Sequence, residues 1–265
     1  MNALAKYVYV GRTAVRSNMV YLGEVAARAL FLTVILYIFL QLWLVTYAEA
    51  GADRLGGLTL AQMLWYLVIT EAVTLSAPAV ALEIDSDVRT GAIAVQLVRP
   101  LSYPLYRLWA TLGERAVRFM LNALVGSALA LLMVGPIALS PQGLGLFLLA
   151  LPLAFVLDFM AYLAIGLCAF WLENTSGLVL IYSRTTMIFG GVLLPIELYP
   201  DSVQWLLVNL PFASIAYAPA RMFVDPNAFE LVKVLARQGV GIAIFAAIAA
   251  AIYAAALRRI HAHGG

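Results

Sequence analysis

Glu71 and Asp158 are the only acids inside long apolar stretches of this sequence, and they are the groups best placed to do chemistry away from water. A carboxylate in hydrocarbon is costly unless it is paired, protonated or facing a water-filled path. Glu71, in Ile69-Thr70-Glu71, sits midway along its stretch. Two readings are open for it: a group lining a transport path that attracts cations, or a protonated or hydrogen-bonded packing residue. Asp158, in Leu157-Asp158-Phe159, reads as structural. Trp65 and Tyr66 lie close to Glu71 in sequence and offer aromatic faces to a cation. Tyr37, Trp43, Tyr182 and Phe189 are further candidates to line a path, although aromatics also simply fill membrane cores and interfaces.

Other chemistries are excluded. The histidines are His261 and His263, both in the C-terminal tail, so no span carries a Ser–His dyad or the ligands of a zinc site. The tail pair reads as a terminus rather than a metal site. Cys168, the single cysteine, rules out an internal disulfide and a Cys-rich metal site, and reads as a small buried side chain. The phosphate-loop pattern G-x-x-x-x-G-K-[ST] is absent, so the chain does not hydrolyse ATP by that route. A net charge of +2 is too small to argue for a nucleic-acid partner.

The elements that hold these residues follow from composition. Of 265 residues, 64% are hydrophobic and 11% charged, and the mean hydropathy is +0.96. A soluble domain carries roughly 25% charged residues. Such a chain suits lipid, and we expect an all-α membrane protein forming a single transmembrane domain over 1–265. Charge-free runs place six spans. Residues 29–48 contain no charge and 55–82 contain only Glu71. Residues 119–157 are charge-free and too long for one span; Gly135-Pro136 through Ser140-Pro141-Gln142-Gly143 breaks them into two helices, the second running past Asp158 to about Trp171. A fifth span starts near Leu178 and ends before Pro195, and residues 238–257 form the sixth.

An even span number puts both termini on one side. Ten cations lie there (Lys6, Arg12, Arg16, Arg89, Arg99, Arg107, Arg115, Arg118, Arg258 and Arg259) against four opposite (Arg54, Arg221, Lys233 and Arg237). The positive-inside rule makes that side the cytoplasm of a cell inner or plasma membrane. Arg28 and Arg184 lie near cytoplasmic helix ends, where they can snorkel. Residues 1–24 form a cytoplasmic or interfacial segment with no cleavable signal. Tyr7, Val8, Val15 and Met19 share one helical face there, which suggests a helix in the membrane surface. In the last span, Gly239, Ala243, Ala247, Ala251 and Ala255 form a small-residue stripe, read as packing within the subunit.

Two segments depart from simple hairpins. In the cytoplasmic loop 83–118, the second span runs on through Glu83, Asp85 and Asp87 until Thr90-Gly91 stops the helix. Ala92 to Val98 then gives two turns with apolar Ile93, Val95, Leu97 and Val98, closed by Arg99-Pro100. A short apolar helix outside the bilayer needs cover: a partner protein, the headgroups, or its own subunit. In the external segment 195–225, Pro195, Pro200, Pro211 and Pro219 cut the chain into pieces. Asp201 and Gln204 read as a capping box opening a helix that runs to about Asn209. A second helix covers about Phe212 to Val224. Both are too short to span, which fits a re-entrant hairpin buried against protein; one kinked seventh span is the alternative.

These segments together resemble the permease subunits of the type-2 ABC exporter superfamily, over nearly the whole chain. The family's coupling region is matched by Glu83, Gly91, Leu97, Arg99, Pro100 and Leu101. Its broken external helix is matched by Pro195, Tyr199-Pro200, Pro211-Phe212 and Pro219. The wording of residues 90–102, TGAIAVQLVRPLS, is most similar to the drug- and viologen-exporter subgroup. The resemblance implies a transport subunit that is not itself an enzyme and binds no cofactor, with ATP and magnesium held by partner ABC ATPase subunits. It also implies a second permease, as homodimer or heterodimer, with the dimer near span one and the start of span five. Glu83, Asp87, Gly91, Ile93, Val95, Leu97, Arg99 and Pro100 would form the ATPase-coupling element. The rival class is an ion-coupled secondary transporter, which often carries internal repeats; none is evident. For a lipid or glycan cargo, a lone acid on the path would be a hindrance.

Overall fold

The computed structural model of the chain describes residues 3–18, 22–226 and 228–263, and these contain helices and no β-strand. Helix α1 (Ala3–Asn18) precedes α2 (Leu22–Ala50), the first long apolar helix. Helix α3 (Leu60–Leu75) opens on Thr59, whose hydroxyl accepts from Gln62 N while Gln62 Oε1 accepts from Thr59 N. This reciprocal cap satisfies two amides that a helix start leaves free. Every residue of α3 from Met63 to Val73 is buried, so α3 is the central post of the molecule. It is flanked by α2, by α6 (Tyr103–Met133) and by α10 (Tyr217–Val224). Gly126 on α6 lets α3 come close, since a β-carbon there would stand 2.8 Å from Val68 Cγ1.

The expected continuous second span is interrupted. Helix α3 ends at Leu75, and Ser76 to Ala79 intervene before α4 (Val80–Arg89). Pro78 is the physical cause: it lacks an amide proton and disfavours helix in the residue before it. Helix α5 (Ala92–Leu97) follows at once, with Gly91 in the left-handed region at φ 74°. Pro104 opens α6 within its first turn. Helix α7 (Pro141–Leu167) starts on the Ser140 hydroxyl, which accepts from Gly143 N at 2.9 Å. It packs on α4, α10 and α11 (Ala228–His263). Helices α8 (Ser176–Phe189) and α9 (Asp201–Asn209) complete the set.

Among the described residues, five segments are long and apolar enough to cross a membrane: 29–50, 60–89, 103–133, 141–170 and 231–258. The expected fifth span falls short of that length. Helix α8 has 14 residues, about 21 Å of helix against a hydrocarbon core of about 30 Å.

Other expectations need correcting. The capping box at Asp201 does not form: α9 is capped by Pro200, and Gln204 Nε2 instead donates to the Glu197 and Tyr199 carbonyls and to Asp201 Oδ1. The segment after Pro211 is a 3-10 turn (Pro211–Ser214) followed by the separate helix α10. Helix α1 packs along α6, with Gly11 against Trp109 and Gly113, and its Tyr7 hydroxyl accepts from Ser102 N. Val8 faces outward and Met19 lies outside the described residues. The small-residue stripe on α11 is exposed at all five positions, while Val234, Gln238, Gly241, Ala249 and Ala256 are buried. Cys168 is half-buried and bonds the Ala164 carbonyl.

Candidate functional site

The α4–α5 arm, expected to face the cytoplasm, is pinned to three helices. Arg107 on α6 pairs with Glu83 at 2.8 Å through Nη1 and with Asp87 through Nη2. Asp87 Oδ2 also accepts from the Tyr103 hydroxyl at 2.9 Å and from Gln96 Nε2 at 3.2 Å. Asp85, 1% exposed, accepts from Thr175 N and Oγ1 at the start of α8, and pairs with Arg89. Gly166 lets α7 press on α4, where an added β-carbon would stand 2.9 Å from Ile84 Cβ. Ile93 is the apolar key of the arm: it is 3% exposed, in one cluster with Val80, Ile84, Tyr103, Phe159 and Leu163.

That burial separates the coupling residues into two groups. Ile93, expected to meet a partner, is core, and Leu97 packs against the same cluster. Val95 and Val98 are 65% and 87% exposed, and with Arg99 and Pro100 they form the outward face of the turn. Glu83 and Asp87 hold the arm through Arg107, and Gly91 supplies the left-handed bend between its two helices.

The second polar site lies between α3, α6, α7 and α8. Arg115 is 1% exposed. Its Nη1 donates to Asp158 Oδ2 at 2.7 Å, its Nε to Ser76 Oγ and its Nη2 to the Val73 carbonyl. The guanidinium carbon stands 4.3 Å from the Phe155 ring centroid. Tyr182 on α8 donates to Asp158 Oδ1 at 2.8 Å. Arg115 therefore ties the broken end of α3 to α7, and Tyr182 adds α8. A cavity of about 40 Å³ adjoins Arg115, Asp158, Tyr162 and Thr186. Arg115 had been counted as a loop cation, whereas it lies well inside α6.

Glu71 stands apart from this network. It is 5% exposed and has no hydrogen bond or ion pair to any described residue. Asn122 on α6 is likewise buried, with its Nδ2 unpartnered. Asn122 lies on α6 between Gly126, which meets Val68, and Arg115, which meets the Val73 carbonyl. Sequence reading missed Asn122. Of the aromatics, Tyr66 is fully buried and donates to the Gly191 carbonyl, and Tyr182 serves Asp158. Tyr37 on α2 and Phe189 on α8 are 55% and 42% exposed. In segment 195–225, Pro195 is buried, Pro200 is exposed, and Pro211 and Phe212 are half-buried. The two polar sites thus share no residue, and the aromatics do not converge on Glu71.

A family model for ABC-2 family transporter proteins matches residues 30–264, from within α2 to the C-terminal tail. The chain belongs to the ABC-2 transporter family. A search of curated proteins found no match. Membership in this family makes the chain a multi-pass membrane transport subunit that associates with ABC ATPase subunits.

Proposed function

We propose that this ABC-2 chain is the permease of an ATP-driven exporter of amphiphilic organic cations, close to the drug- and viologen-exporter subgroup. It pairs with a second permease, the same or a different chain, and each rests on a separate ATPase that holds ATP and magnesium. In this reading the chain crosses the membrane six times with both termini in the cytoplasm; α8 makes the short fifth crossing, and residues 195–225 re-enter from outside.

The observation that carries the reading is Glu71, a buried carboxyl with no protein partner on the most enclosed helix. An acid kept in that state supplies attraction to an arriving cation in a low dielectric, and the cation in turn favours its charged form. The exposed Val95–Pro100 turn supports the partner arrangement, because an apolar surface held out by ion pairs calls for cover.

Co-purification from the native membrane should bring an ABC ATPase with the chain. In vesicles holding the complex, ATP-dependent uptake of a lipophilic cation should fall about tenfold in Glu71→Gln, which keeps the shape and removes the charge. Undiminished cation export by Glu71→Gln makes Glu71 a packing residue. Transport by the isolated chain driven by an ion gradient would instead support the secondary-transporter reading.

A further inference from the structure

A cavity of about 250 Å³ lies between the Pro211–Ser214 turn, α10 and α11, away from both polar sites described above. Glu197, Arg221, Asp225 and Arg237 put four charges in its wall. Arg221 Nε pairs with Glu197 Oε1 at 3.0 Å and its Nη2 with Asp225 Oδ2 at 3.3 Å. Tyr217 donates to the same Glu197 oxygen at 2.7 Å. Burial first, and then the Glu197 carboxylate, push the Tyr217 hydroxyl's pKa up, so it stays a donor. These bonds leave three groups unused. Arg221 Nη1 and Glu197 Oε2 are both buried without a partner. Arg237 lines the same cavity and has no partner among the described residues.

An unsatisfied buried guanidinium nitrogen is expensive, and guanidinium groups match phosphate oxygens in geometry and charge. The wall carries two cations, Arg221 and Arg237, and two carboxylates, Glu197 and Asp225, so it is net neutral; Arg237 is the cation whose charge no carboxylate contacts directly. The missing occupant therefore carries an oxyanion for Arg237 and Arg221 Nη1, and beside it a hydrogen-bond donor for Glu197 Oε2. The remaining wall is apolar, with Val208, Ala213, Met222 and Val234. Arg237 also lies near the start of the membrane-length segment 231–258 and directly before its charge-free run 238–257, where a long cationic side chain can reach toward headgroups.

We propose that this cavity binds the headgroup phosphate of a phospholipid, with Arg237 and Arg221 on its oxygens and Glu197 accepting from the headgroup's N–H or O–H. The site is independent of Glu71 and of any ATPase, so it stands or falls apart from the exporter reading.

The test is native mass spectrometry of the purified full chain with phosphatidylethanolamine. The parent should retain bound lipid, and Arg237→Gln should retain it roughly tenfold more weakly, the loss of one charge-assisted contact. Arg237→Lys should recover part of that loss. Thermal unfolding of lipid-free samples should be the same in parent and Arg237→Gln, which shows that the variant is folded. Equal retention by parent and Arg237→Gln overturns the proposal. If the lipid is not retained but inorganic phosphate raises the melting temperature of the parent and not of Arg237→Gln, the oxyanion is free phosphate and the lipid assignment is wrong.

Discussion

Arg115→Ala should be the most damaging single change in the protein. It leaves Asp158 in a buried site with only the Tyr182 hydroxyl, and strips the donor from Ser76 and the Val73 carbonyl. Breaking a buried ion pair by removing one member costs about 3–5 kcal/mol, because the other charge stays behind. With no water in the hydrocarbon to take over, the upper part of that range is expected. The double change Arg115→Met/Asp158→Leu should restore most of the loss, since similar-sized apolar pairs replace buried ion pairs at little cost. Thermal unfolding in detergent, read against yield in the membrane, checks both. A double variant as unstable as Arg115→Ala would show that the pair's charge is not the source of the defect.

Val95→Asp/Val98→Asp should abolish ATP-dependent transport without unfolding the chain. Both side chains are mostly exposed, so the folded subunit loses little. Removing apolar anchors from a docking surface can cost about 2 kcal/mol or more, close to thirtyfold in affinity for the ATPase. Ile93→Asp makes the contrast: it places a charge among Val80, Ile84 and Phe159 and should lower the melting temperature before any transport is measured. Full transport by the Val95→Asp/Val98→Asp variant would remove this face from the coupling surface.

Some helix ends were legible from glycine and proline, while the break at Pro78 was read through. Gly135 and Ser140-Pro141 separated α6 from α7 as expected, and Gly91 stopped α4. Buried acids were legible by their apolar surroundings, but a buried cation was not, because reading cations as loop markers assigns each one to water. Arg115 breaks that rule: its partner Asp158 is 43 residues away, and only packing brings the two together. The cover of Ile93 stayed open in the sequence for a related reason. Apolar residues in a cytoplasmic loop need cover, and nothing local says whether the subunit or a partner provides it. The glycine and alanine stripe of α11 failed on geometry. Its five residues keep to the exposed side of the helix, while Val234, Gln238, Gly241, Ala249 and Ala256 form the buried side. Glu71 was read as lying midway along its span, with path-lining and packing both open; its burial and its lack of a side-chain partner among the described residues emerged only from the packing around α3.

The Arg115–Asp158 bond also bears on how the chain is made. Arg115 leaves the ribosome 43 residues before its partner, a delay of about two to nine seconds at about 5–20 residues per second. During that interval α6 carries an uncompensated charge that lipid does not accept cheaply. Release of α6 alone is therefore disfavoured, and α6 and α7 enter the bilayer as a pair, joined by the short turn that Gly135 makes at φ 80°. A contact that holds the finished bundle together thus sets the timetable of its biogenesis, and lengthening that turn slows insertion before it weakens the folded protein.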